Sequence, residues 1–168
     1  PTASSPRQRR LKVIARRLRA DAEQRLRKVM TGQLAAADFL GLRTTDAPGF
    51  VGFALQMLDE NDLDSAASAA ELATAADPRS FEAWMTLGAT RARAKEERTA
   101  LAAYARAAEL NSTDVRLCCD VGELKLLLQD YSGAAKALKL AMDADPKADT
   151  PAGRRAQALV AKTYAKLQ

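Results

Sequence analysis

A 34-residue period runs through the middle of the chain. Within residues 81–114, Trp84, Leu87, Gly88, Ala100, Tyr104 and Ala107 stand at positions 4, 7, 8, 20, 24 and 27. Positions 4, 7 and 8 are spaced i, i+3, i+4 and make one stripe of a first helix. Positions 20, 24 and 27 make the matching stripe of a second, with small residues where the two helices approach most closely. One period downstream, residues 115–148 put Cys118, Val121, Gly122, Ala134, Leu138 and Ala141 at those six positions and Pro146 at position 32. One period upstream, residues 47–80 put Phe50, Phe53, Ala54, Ala66, Ala70 and Ala73 there, with Met57 at position 11 and Pro78 at position 32. An alanine-rich bundle without repeats could match one window by accident. Three abutting windows in phase predict an all-α stack of three helix pairs around one continuous core.

The pattern resembles the tetratricopeptide repeat (TPR), with two departures. Arg91 stands at position 11 where an aromatic is usual, and Ser112 at position 32 in place of proline. The resemblance implies a right-handed superhelix whose concave face is lined by positions 2, 5, 9 and 12 of each first helix. In the first repeat these are Pro48, Val51, Leu55 and Leu58; in the second, Glu82, Met85, Ala89 and Ala92; in the third, Arg116, Cys119, Glu123 and Leu126. In TPR domains that clamp acidic chaperone tails, positions 5 and 9 of the first repeat are a lysine and an asparagine. Val51 and Leu55 occupy them here, so the expected occupant is an extended apolar peptide, with Met85 at the centre of the groove or, as a lone methionine more often is, a filler of the core. The competing expectation is that these residues only pack against the N-terminal segment.

Composition removes several functions. The 168 residues contain no histidine, which takes away the usual general base and the commonest metal ligand. No glycine-rich phosphate loop or spaced metal-ligand cluster occurs, so neither catalysis nor a cofactor is expected. Glu96-Glu97 and Asp62-Asp64 read as solvated turn charges. The only cysteines, Cys118 and Cys119, are adjacent and cannot form a disulfide framework; Cys118, at position 4, reads as a small core residue. No secretory signal or apolar run of membrane-spanning length is present.

Charge is unevenly placed. Residues 1–46 hold 11 Lys/Arg and 4 Asp/Glu, a net of +7; residues 47–168 hold 15 and 17, a net of −2. The basic character belongs to an N-terminal arm, residues 1–46, in which 7–30 reads as an arginine-rich amphipathic helix. Leu11, Ala15, Leu18, Ala22, Leu26 and Val29 form its apolar stripe. That stripe favours packing on the array or pairing with a second copy over attachment to nucleic acid or to an acidic membrane surface. Thr31-Gly32 ends the helix, and Thr44-Thr45-Asp46 offers N-cap chemistry ahead of Pro48. Polar turns split each repeat at residues 59–62, 95–97 and 129–130, while Asp77-Pro78 and Asp145-Pro146 separate repeats. Residues 149–168 supply a closing helix with a polar outer face. That tail lacks the position pattern of a fourth repeat.

A leading helical segment, three repeats and one closing helix also resemble the class II type III secretion chaperones of the SycD/LcrH kind. The local match is Gly32-Gln-Leu, Asp38-Phe-Leu-Gly41-Leu42, Phe53-Ala54 and Leu63-Asp64-Ser65-Ala66, with Arg154-Arg155-Ala156-Gln157-Ala158-Leu159 in the closing helix. It covers roughly residues 32–167. The first repeat departs from that family's tyrosine-rich character, and the arm is more basic. The resemblance implies a cytoplasmic bacterial chaperone without ATPase activity, holding hydrophobic translocator subunits before export. It further implies dimerisation through N-terminal helices, which would engage Leu11, Ile14 and Leu18. The alternative expectation is a TPR scaffold that joins two partners at once.

Overall fold

The computed structural model describes Gln24, Asp38, Leu40 and residues 41–167. The chain divides into two compact units, Pro1–Arg43 and Thr44–Gln168. The amphipathic segment read at 7–30, with Leu11, Ile14 and Leu18, lies outside the described residues except for Gln24, which is helical.

The second unit is a run of α-helices with no strand among the described residues. They are α1 (Ala47–Asp59), α2 (Leu63–Ala76), α3 (Phe81–Arg93), α4 (Glu97–Leu110), α5 (Val115–Leu127), α6 (Tyr131–Ala144) and α7 (Pro151–Leu167). The first six pair as α1/α2, α3/α4 and α5/α6, one pair per 34-residue window. No helix among the described residues is long and apolar enough to cross a membrane.

Identical chemistry closes the three pairs. Asn61, Lys95 and Gln129, all at position 15, adopt left-handed φ values of 59°, 60° and 61°. The next residue's N–H then reaches back to the carbonyl at position 11: Asp62 to Met57 at 2.8 Å, Glu96 to Arg91 at 2.9 Å and Asp130 to Lys125 at 2.8 Å. Position 15 itself bonds to position 12 in each repeat, completing a Schellman cap on the first helix. Position 16 also starts the second helix. Asp62 accepts from the Ser65 N–H and Asp130 from the Gly133 N–H, and these bonds hold both carboxyls below the ordinary aspartate range. Ser80 and Asp114, at position 34, cap α3 and α5 in the same way. The expected cap on α1 differs: Thr44–Asp46 is a 3-10 turn, and Asp46 makes no side-chain capping bond.

Between helices the packing follows positions 8 and 24. A Cβ on Gly88 would lie 2.4 Å from the Tyr104 ring, and one on Gly122 would lie 2.6 Å from the Leu138 side chain. Glycine is therefore what admits a large residue at position 24 in these two repeats. Tyr104 and Leu138 are buried and centre the two larger apolar clusters. Successive repeats are also tied at position 4. The Trp84 indole N–H donates to the Pro78 carbonyl at 2.9 Å, and one period on, the Cys118 thiol donates to the Ser112 carbonyl at 3.4 Å. Cys118 is a buried core residue, as expected for that position. Ser112 thus replaces proline without loss of the seam contact, because the carbonyl is the acceptor.

Arg91, which stands where an aromatic is usual, bridges repeats by charge. Its guanidinium pairs with Glu71 of α2 and, at 3.0 Å, with Glu96. The closing helix α7 packs on α5 and α6, the neighbours that the first helix of another repeat would take. Ala156 falls at position 8 of that virtual window and is wholly buried. The tail therefore keeps one repeat position that the sequence reading missed.

Candidate peptide-binding groove

α1 packs on α3, α3 on α5, and α5 on α7. Between α3, α5 and α7 lies a groove of about 680 Å³. Met85, Val115, Pro151 and Ala152 give it apolar surface. Asp114, Arg116, Asp120, Thr150 and Arg155 supply polar groups around it.

Those charges are paired across elements. Arg116 meets Glu82 of the preceding repeat at 2.8 Å and Asp114 at 3.1 Å, and its guanidinium carbon lies 5.7 Å from the centre of the Phe81 ring. Burial pushes the Asp114 carboxyl up, but its bonds with Arg116 and the Leu117 N–H outweigh that and leave it below the ordinary range. On the other side, Arg155 of α7 reaches α5. It pairs with Asp120, stands 3.6 Å from Glu123, and donates from Nε to the Cys119 sulfur at 3.2 Å. Tyr104 donates its hydroxyl to Asp120 at 3.2 Å. Burial raises the Asp120 pKa against the pull of Arg155 and Tyr104. Burial, reinforced by the Asp120 charge, raises that of Tyr104, so the phenol remains a donor.

Of the residues expected to line a concave face, Met85 and Arg116 line this groove, Met85 while itself buried in the core cluster around Tyr104. Glu82 is exposed and serves as the partner of Arg116. Ala92 and Glu123 border a smaller cleft of about 200 Å³. Ala89 and Val51 are half-buried, Pro48 is exposed, and Leu55 is 48% exposed. Leu126 sits farther along with Glu123, in a recess described below. Two others are buried and border none of these clefts. Cys119 is wholly buried because Arg155 lies against its sulfur. Leu58 is buried with Met57, Ala66 and Leu63 between α1 and α2. Burial raises the thiol pKa of both cysteines, with Arg155 opposing at Cys119, so neither is a ready nucleophile.

Asp114, Asp120, Thr150 and Arg155 had no place in the expected lining. Arg155 was visible only as part of a closing helix, and the repeat pattern says nothing about where that helix crosses α5. Among the described residues no cluster of His, Cys, Asp and Glu could hold a metal ion.

No protein-family model matches the sequence, and no curated protein matches it. Solved structures do match in fold. The Yersinia enterocolitica type III secretion chaperone SycD, in complex with a peptide of the translocator YopD, superposes with a TM-score of 0.65 at 17% identity. That match covers 72% of this chain and 94% of the other. PcrH in complex with the chaperone binding region of PopD gives 0.68 at 20% identity, over 76% and 98%. The first TPR of Spaghetti (RPAP3) bound to the HSP90 peptide SRMEEVD gives 0.69 at 17% identity, over 75% and 96%. The fold is that of a TPR α-solenoid, shared with these chaperones and with TPR modules of other kinds.

Proposed function

We propose that this chain is a non-catalytic, protein-binding chaperone that holds an extended segment of a client in its concave groove. The carrying observation is the groove of about 680 Å³ among α3, α5 and α7, where Met85 and Val115 offer apolar contact beside paired charges. The finer reading is a cytoplasmic bacterial chaperone of the type III secretion kind, whose client is a hydrophobic translocator subunit awaiting export. One structure of similar fold was solved with a peptide of the translocator YopD and another with the chaperone binding region of PopD, and that likeness supports the choice. Dimerisation through the stripe containing Leu11, Ile14 and Leu18 belongs to the same reading.

The mechanism is occupancy. Burying the client's apolar segment competes with its aggregation, and a micromolar Kd, about 8 kcal/mol, holds it while permitting release. Calorimetric titration with a peptide of the P-x-L-x-x-P kind tests this. Micromolar binding that Met85→Glu abolishes, in a variant shown by circular dichroism to be folded, is the expected result. A folded wild type that binds no such peptide would overturn it.

A further inference from the structure

A second apolar recess opens beyond the wide groove, and its rim carries free positive charge. It holds about 110 Å³ and lies where α5 ends, α6 begins and α7 passes. Leu126, Leu127, Tyr131 and Leu159 line it, with Lys162 and Lys166 beside them. The repeats themselves make this region unusual. At position 13 the first and second repeats carry Asp59 and Arg93, whereas the third carries Leu127, which is 65% exposed. At position 17 the second repeat has Glu97, whereas the first has Leu63 and the third Tyr131. The fold does not need an apolar residue at position 13, so the exposed Leu127 asks for a partner.

Charge says which partner. Residues 151–168 contain four basic residues and no acidic one. Arg154 is engaged by the carbonyls of Ala148 and Asp149, and Arg155 by Asp120 and Glu123. Lys162 and Lys166, one helical turn apart, form no ion pair among the described residues. On α7 the wide groove uses residues 151–155 and the recess residues 159–166, centres separated by roughly nine residues, or ~14 Å at the helical rise. An extended peptide crosses ~14 Å in about four residues.

We propose that this recess is a second anchor site for the client segment. It accepts an apolar side chain about four residues beyond the one in the wide groove, followed by aspartate or glutamate paired with Lys162 and Lys166. The inference rests on the reading of the concave face as a peptide groove, and it names the client's chemistry: an apolar segment that turns acidic. A nucleic acid fits less well, because the recess is lined by Leu126, Leu127, Tyr131 and Leu159.

Fluorescence anisotropy on the full chain tests it with three labelled peptides, P-A-L-A-A-P, P-A-L-A-A-P-L-D-D and P-A-L-A-A-P-L-N-N. Two exposed ion pairs predict about tenfold tighter binding of the acidic nonapeptide than of its amide counterpart, an advantage lost at high salt. Lys162→Gln with Lys166→Gln removes that advantage and leaves the hexapeptide unchanged. Leu127→Asp weakens both nonapeptides without touching the hexapeptide. Equal affinity for the two nonapeptides, with the hexapeptide still bound, overturns the second anchor and leaves the groove reading intact. Acid-dependent binding that Met85→Glu does not affect upholds the recess and overturns the wide-groove reading. No binding of any peptide, or displacement by a single-stranded oligonucleotide, overturns the recess as assigned.

Discussion

The first repeat closes its helix pair on two alanines, while the second and third close theirs on a glycine facing a large side chain. Ala54 and Ala70 are both wholly buried, and with Ala69 they pack against Leu87, reaching over from α3. In the second repeat Gly88 gives up its side chain so that Tyr104 can fill the space; in the third Gly122 does so for Leu138. The repeat does not fix which residue stands at each position. It fixes the volume shared between positions 8 and 24, and that sharing decides where polar chemistry can reach. Of the three position-24 residues, only the tyrosine carries a polar atom into the following repeat, through its hydrogen bond to Asp120 of α5.

That comparison can be broken most severely at Tyr104. Tyr104→Ala leaves a cavity in the largest apolar cluster and is expected to cost about 3–5 kcal/mol in urea unfolding. Adding a methyl at the opposite position comes next. Gly88→Ala forces its Cβ into the Tyr104 ring and destabilises by about 1–3 kcal/mol, although alanine is the better helix former. Combining the two sharpens the case. In a Tyr104→Ala background, which copies the first repeat, Gly88→Ala is expected to stabilise by about 0.5–1 kcal/mol. An unchanged sign would refute the shared-volume account. In the first repeat the reverse change, Ala54→Gly, costs about 1 kcal/mol, from backbone entropy and one lost methyl.

The smallest effects belong to surface charge. Glu82→Ala removes an exposed partner of Arg116 and is expected to cost about 0.2–1 kcal/mol, less at high salt. Acid titration separates the caps. Asp62 and Asp130 have folded-state pKa values below the ordinary 3.8, so their stabilisation is complete above that value. It is lost as pH falls through the folded values. Asp62→Asn and Asp130→Asn should therefore flatten the acid limb of a stability–pH curve, and an unchanged limb would count against the capping bonds.

The stack was legible because position 8, position 24 and the turn at position 15 are local constraints that recur at one period. Trp84 and Cys118 look unrelated as letters, yet both sit at position 4 and donate to a position-32 carbonyl. The groove was legible only in part. Met85 and Arg116 follow from register along a helix, but Asp120 and Thr150 enter because α7 lies across α5. The same crossing puts Arg155 against Cys119, so a position that register assigns to the groove becomes interior. Leu58 left the expected lining for a plainer reason, its packing between α1 and α2 with Met57 and Leu63.

Trp84 is the chain's one tryptophan, and its indole is fastened to the carbonyl of Pro78 with Arg106 5.7 Å from the ring centre. Its emission therefore reads a single seam, the one between the first and second repeats. Stacked repeats unfold together only when their interfaces are strong relative to the repeats themselves. If the first repeat peels away before the rest, fluorescence will change at a lower denaturant concentration than circular dichroism. Coincident curves would mean that the three repeats part as one body.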